Sequence, residues 1–198
     1  MNNIIFKLYK KIAFSSDPER VHNISLLMLE YIYKSYLGKV FHKSISIKST
    51  KQFDILFDNP IGLAAGFDKN ADYLNFISNI GFGFIEVGTL TPKPQAGNPK
   101  PRVFRLIKDR AIINHLGFNN KGVDYLVKKL KKRKTSILVG ASIGKNFDTP
   151  NNKASEDYIY CLKRVYEFSD YVAINISSPN TKNLRELSTE ENLNFLLQ

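Results

Sequence analysis

From residue 59 onward the chain repeats one pattern: a short apolar run, a loop of Gly, Asn, Ser and Thr, then a helical segment. The runs at 61–65, 84–87, 137–141 and 172–176 are too short for helices and apolar on both sides, as strands buried within a parallel sheet are. Helical patterns at 70–79, 154–167 and 187–198 follow three of these runs directly. After the second run a long excursion precedes a helix at 120–132. Such alternation predicts parallel strands covered by helices. Four β/α units are present, whereas a closed (β/α)8 TIM barrel uses eight over roughly 250 residues. The last residues, Leu196-Leu197-Gln198, sit inside an apolar-periodic helix with no stop signal. The expected architecture is therefore α/β, with residues 41–198 forming the first half of a TIM barrel that continues in a longer protein. An open, doubly wound four-stranded sheet is the alternative.

The first 40 residues read differently. Residues 2–14 mix Ile4, Ile5, Phe6, Leu8 and Ile12 with Lys7, Lys10 and Lys11, the pattern of a short amphipathic helix. Ser16-Asp17-Pro18-Glu19 then supplies a capping residue, a proline for the first helical position and an acid for the first turn. The helix it starts, running to about residue 37, carries a wide apolar stripe of Val21, Ile24, Leu27, Met28, Tyr31, Ile32 and Tyr36. Residues 1–40 are expected to be a two-helix extension. Two short strands, 44–48 and 53–57, are expected to close the bottom of the barrel.

Composition narrows the function classes. With 198 residues and 43% hydrophobic content, the chain can bury a full core. It contains no apolar run long enough for a spanning helix, and no secretory signal is legible, so a chain kept inside the cell is expected. The single cysteine, Cys161, excludes an internal disulfide and a cysteine metal cluster and reads as helix packing. The net charge of +11 raises a basic binding module as one hypothesis. Its densest run, Lys128-Lys129-Leu130-Lys131-Lys132-Arg133-Lys134, follows Val123, Leu126, Val127 and Leu130 and is explained by a solvated helix C-terminus. No basic surface interleaved with aromatic residues stands out, so nucleic acid is not an expected partner.

In a barrel, chemistry sits at the carboxyl ends of the strands. After the first strand come Ala64-Ala65-Gly66-Phe67-Asp68-Lys69-Asn70, and after the second Gly88-Thr89-Leu90-Thr91-Pro92. The excursion ends in Asn114-His115-Leu116-Gly117-Phe118-Asn119-Asn120. The third strand leads to Ser142-Ile143-Gly144-Lys145-Asn146, and the fourth to Asn175-Ile176-Ser177-Ser178-Pro179-Asn180-Thr181. These loops offer amides, hydroxyls and lysines, with no carboxylate pair and no His/Cys metal set. That inventory suits a planar, carbonyl-rich, anionic ligand, not glycoside hydrolysis or zinc chemistry.

Together with Asn59 to Lys69, Gly83 to Pro92 and Asn98 to Arg105, the loop motifs occur in an order that resembles dihydroorotate dehydrogenase over essentially the whole chain. The resemblance is to class 2, the quinone-dependent form, because Ser178 stands where class 1 has cysteine. Asp17-Pro18-Glu19-Arg20-Val21-His22 is also similar to the class 2 extension. It implies oxidation of (S)-dihydroorotate to orotate, the fourth step of pyrimidine synthesis. FMN would be the redox cofactor and ubiquinone or another membrane quinone the acceptor. It further implies peripheral association with the cytoplasmic side of a bacterial inner membrane. A flavin-binding barrel with a different substrate is the runner-up.

Carried over residue by residue, the resemblance makes Ser178 the base that takes the C5 proton of dihydroorotate. Ala65, Gly66, Phe67, Asp68, Lys69, Thr89, Ser142 and Asn175 would line the flavin. Lys69, Asn114, His115, Leu116, Gly117, Phe118, Asn175 and Asn180 would hold the substrate, and no metal is expected. Ser142 replaces the family's usual Asn, which puts one flavin contact in doubt. His22 and Arg20 are candidates for a quinone tunnel or for pairing with nearby helix ends. The flavin phosphate in such barrels binds beyond strands seven and eight, so the 198 residues alone are expected to be inactive.

Overall fold

The computed structural model describes residues 4–35, 37–38, 48–181 and 183–197. Four strands form one parallel sheet in the order β3, β4, β7, β8: Gly62–Leu63, Phe84–Leu90, Leu138–Ile143 and Tyr171–Ile174. Each strand neighbours the next one of its kind in sequence, the order of a barrel wall. A doubly wound sheet would reverse order at a switch point. Helices α4 (Val123–Leu130) and α5 (Ala154–Val165) are the long crossovers, and α3 (Leu74–Ile77) is a single turn. Helix α6 (Glu190–Leu197) follows β8 after a 3-10 turn at Leu184–Ser188.

The core lies between the sheet and these helices. Ile85, Val87, Val139, Ala141 and Ile143 alternate onto the helix-facing side, where they join Ile77, Leu126, Cys161 and Val165, all essentially inaccessible. Cys161 is therefore a packing residue, its thiol pushed up to about 12 by burial. On the opposite face Phe84 lies across Gly62 and Tyr171 across Gly140, and a Cβ on either glycine would collide with the facing ring. Phe57 stacks edge-on to Phe84 at 5.1 Å and Phe84 to Tyr171 at 6.4 Å. This aromatic row occupies the amino-terminal end of the strands.

Differences from the sequence reading are local. Of the two strands expected to close the bottom, 44–48 falls almost wholly outside the described residues. The second shrinks to β2 (Ile55–Phe57), paired antiparallel with β1 (Thr50–Gln52), because Phe53 and Asp54 adopt positive φ in the turn between them. The helix expected at 70–79 is mostly irregular. Its amino end is held by Asp68, whose carboxylate accepts the N–H groups of Asp72 (2.9 Å) and Tyr73 (2.8 Å). The excursion after β4 contains an unanticipated antiparallel hairpin, β5 (Val103–Leu106) with β6 (Ala111–Asn114).

The basic run at the end of α4 is a solvated helix terminus whose members find local partners. Lys129 pairs with Asp72 and Arg133 with Asp170, and Lys131 lies over the Phe168 ring. The extension is α1 (Ile4–Phe14) and α2 (Pro18–Lys34). Asp17 caps α2 by accepting from Arg20 N at 2.8 Å, Pro18 opens it, and Leu26 reaches the core.

Candidate active site

Strands β4, β7 and β8 end at one polar cluster. Between Val87 and Leu90 the register of β4 slips by one residue against β7, a bulge that re-aims the intervening side chains. The buried Thr89 hydroxyl thereby meets Ser142 Oγ at 2.9 Å and accepts from Asn175 Nδ2 at 2.7 Å. Asn175 is fixed from both sides: its N–H donates to Ile143 O at 2.9 Å and its carbonyl accepts the Tyr158 hydroxyl at 2.9 Å. Burial raises the Tyr158 phenol, which keeps it a neutral donor. Beside the cluster Gly66 has φ +103°, its N–H donates to Gly88 O at 2.9 Å, and the space a Cβ would occupy is open. A flat ring can approach this backbone without a side chain in the way.

Lys69 follows in the same loop and donates to Asn119 Oδ1. Burial, reinforced by the nearby Arg102 charge and opposed by Glu19, lowers its ammonium to about 8. The charge is thus available at neutral pH yet poorly hydrated, the condition in which a fixed cation acts strongly on a ligand anion.

The third group comes from the hairpin exit and the loop after β8. Asn180 Nδ2 donates to Asn114 Oδ1 at 3.2 Å, and Asn180 Oδ1 lies 3.1 Å from His115 Nδ1. Asn98 Nδ2 donates to His115 O at 3.0 Å and Asn180 O at 3.4 Å, knitting the two loops together. Leu116 is held by Asn98 N at its carbonyl, and Gly117 and Phe118 both take positive φ to turn the chain inward. Ser178 is half-buried, its Oγ accepting from Asn180 N at 3.3 Å. Among the described residues no acid or base side chain bonds that hydroxyl.

Two residues expected to line the flavin have their partners outside the Thr89–Ser142–Asn175 cluster. Asp68 turns its carboxylate to the start of α3, and burial outweighs the two backbone N–H groups to raise it to about 6. Phe67 packs edge-on against His22 at 5.0 Å, and its carbonyl meets His22 Nε2 at 2.8 Å. Ser142 bonds Thr89 directly, so its short side chain serves the cluster. Asn98, Arg102 and Asn119 had no assigned roles from sequence, although each lies in a motif that carried the resemblance. An Asn beside Gly, as Asn98 is, reads locally as turn chemistry. Lys145 is also buried, its ammonium donating to Thr149 O at 2.7 Å and its pKa lowered by desolvation.

A parallel β/α wall, an open glycine-backed floor, a desolvated lysine and a ring of amides make up a polar strand-end cluster of the kind TIM-barrel proteins carry. The dihydroorotate dehydrogenase family model matches residues 47–198, and the chain belongs to that family. Its relatives include the dihydroorotate dehydrogenase (quinone) of Psychrobacter arcticus, 50% identical over 97% of this chain and 56% of that protein. The dihydroorotate dehydrogenase (quinone) of Acinetobacter baumannii is 48% identical over 98% of this chain and 58% of its own length. The structure of DHODH from Eimeria tenella in complex with ferulenol aligns with a TM-score of 0.80 and 43% identity, covering 91% of this chain and 49% of that one. The chain spans about half the length of the relatives it matches.

Proposed function

We propose that this chain is the amino-terminal part of a quinone-dependent dihydroorotate dehydrogenase that oxidises (S)-dihydroorotate to orotate. The observation that carries the reading is the convergence of Thr89, Ser142 and Asn175 at three neighbouring strand ends beside the open face of Gly66. The fit to FMN rests on the same features: a backbone surface free of side chains, and an Asn175 amide with one hydrogen committed to Thr89 and the other uncommitted among the described residues. Ala65, Gly66, Lys69, Thr89, Ser142 and Asn175 would hold the flavin. When bound, FMN supplies the acceptor for the hydride that leaves the substrate.

The protein's own part is positional and electrostatic. Asn114, Asn175 and Asn180 orient the substrate carbonyls and carboxylate, and Lys69 offsets the ligand's negative charge. Ser178 Oγ takes the C5 proton as its own hydroxyl proton passes on to solvent through a relay. A hydroxyl is a weak base at neutral pH, so its effect depends on being held at the reacting carbon, which Pro179 and the Asn180 N–H bond assist.

The extension supports a membrane quinone as acceptor. Ile4, Phe6, Leu8 and Ile12 of α1 and Leu27, Met28 and Tyr31 of α2 are all exposed, and Lys7, Lys10 and Lys11 share α1 with them. No described helix is long and apolar enough to cross a membrane. An apolar helix face with flanking lysines instead suits the surface of an anionic bilayer, on the cytoplasmic side. Steady-state turnover by the full-length protein, comparing dihydroorotate with other reduced pyrimidines and a soluble quinone as acceptor, tests the reading. Turnover restricted to dihydroorotate is expected; turnover of another reduced pyrimidine with none of dihydroorotate overturns it.

A further inference from the structure

Arg102 is a charged residue buried almost completely, at 6% exposure, outside every role given above. Its guanidinium makes four hydrogen bonds. Nε and Nη2 form a bidentate pair with the Glu19 carboxylate of α2 at 2.9 and 2.6 Å, while Nη1 donates to Ala96 O at 2.6 Å and Asn98 O at 2.9 Å. Its own carbonyl accepts His115 N at 2.7 Å. Arg102 therefore joins the extension to residues 96–98 through its side chain and to His115 through its backbone carbonyl.

Local sequence agrees with this design. Gly97 lies between the two clamped carbonyls at φ +76°, where a Cβ would stand 2.9 Å from Arg102 Nη1 and 2.3 Å from Leu116 O, so the loop closes directly on the guanidinium. The clamped Asn98 is the residue whose amide ties His115 O to Asn180 O. Glu19 sits in the first turn of α2, and Arg102's hydrogen bonds hold its carboxyl below the usual range. A planar fork alone can serve a carboxylate on one edge and two carbonyls on the other; a lysine has no such geometry.

We propose that Glu19 and Arg102 are positioning residues, a latch through which the seating of the α1–α2 extension on the barrel sets the substrate loop of Asn98, His115 and Asn180. Without Glu19, a buried guanidinium loses its counter-charge and must turn toward water, which withdraws Nη1 from Ala96 and Asn98. Asn98 then no longer ties His115 to Asn180. The latch gives the helical extension influence over substrate binding as well as over its own docking. Its catalytic consequence rests on the proposed function; its structural consequence does not.

The test compares the wild-type full-length protein with Glu19→Gln and Arg102→Lys, the second variant retaining the buried charge if the first folds poorly. Amide hydrogen exchange is read over 95–100, 113–118 and, as an internal reference, 138–143. Both variants are expected to raise exchange in the first two segments about tenfold while β7 is unchanged. The KM for dihydroorotate should rise about tenfold with kcat within about twofold, the split expected when binding geometry is lost and chemistry is not. Unchanged exchange at 95–100 and 113–118 in both variants overturns the latch, even if the helices are released. Altered exchange in a wild-type background that does not oxidise dihydroorotate supports the latch and overturns the proposed function instead.

Discussion

The strand-end cluster and the helical extension use polar and apolar groups in opposite ways. At the ends of β4, β7 and β8 the buried Thr89 and Ser142 hydroxyls and the half-buried Asn175 amide are bonded to one another, which fixes their directions. Along α1 and α2 large apolar side chains are exposed. Leu26, Leu29 and Tyr33 seat α2 on the core, and polar ties join Tyr33 to Asn79, Glu19 to Arg102, His22 to the Phe67 carbonyl, and Arg105 to the Ser16 carbonyl. The strand ends hold their dipoles fixed, whereas the outer faces of α1 and α2 leave large apolar side chains open to solvent.

Substitutions on either side should separate these two designs. Leu126→Ala, in the core that supports the strand ends, should lower unfolding free energy by about 2–5 kcal/mol in a urea titration. Thr89→Val keeps the shape but leaves Ser142 Oγ and Asn175 Nδ2 without their shared partner. A loss of about 1–3 kcal/mol is expected, together with weaker flavin binding. A stability unchanged by Thr89→Val would remove the claim that the cluster is a fixed polar network.

Lys69 sharpens the comparison through pH. Its folded pKa is lowered to about 8, and a bound carboxylate favours the charged form. Orotate affinity should therefore be full below that value and fall by about tenfold per unit above it, while Lys69→Met should be weak and flat across the range. The same lowering means that the unfolded chain binds the extra proton between about 8 and the ordinary lysine value, so the lysine's cost to stability is relieved as pH rises through that window. The smallest change in stability belongs to the extension. Leu27→Ser with Met28→Ser should leave unfolding within about 0.5 kcal/mol yet reduce cosedimentation with anionic vesicles. Equal vesicle binding would argue that this face has another use.

The fold was legible where periodicity and burial coincide. Ile85, Val87, Val139 and Ala141 are apolar because they face helices, so the runs that contain them read as strands. Their upper ends were less legible. β4 continues to Leu90 through Gly88 and Thr89, residues that resemble a loop because they serve the site. The β5–β6 hairpin leaves no pattern in the sequence because its residues are largely exposed, with no buried face to impose alternation. Within the site, Ser178, Asn175 and Lys69 stood out through their order in the chain. Asn119 and Arg102 did not, since their roles exist only through partners 50 and 83 residues away.

The most direct test of the central claim is anaerobic mixing of the FMN-loaded full-length protein with dihydroorotate, following the loss of oxidised flavin absorbance. The wild type should be reduced rapidly. Ser178→Ala should retain flavin and bind orotate, yet be reduced at least about a hundredfold more slowly. Reduction of Ser178→Ala at the wild-type rate would contradict the assignment of the proton to this strand-end loop.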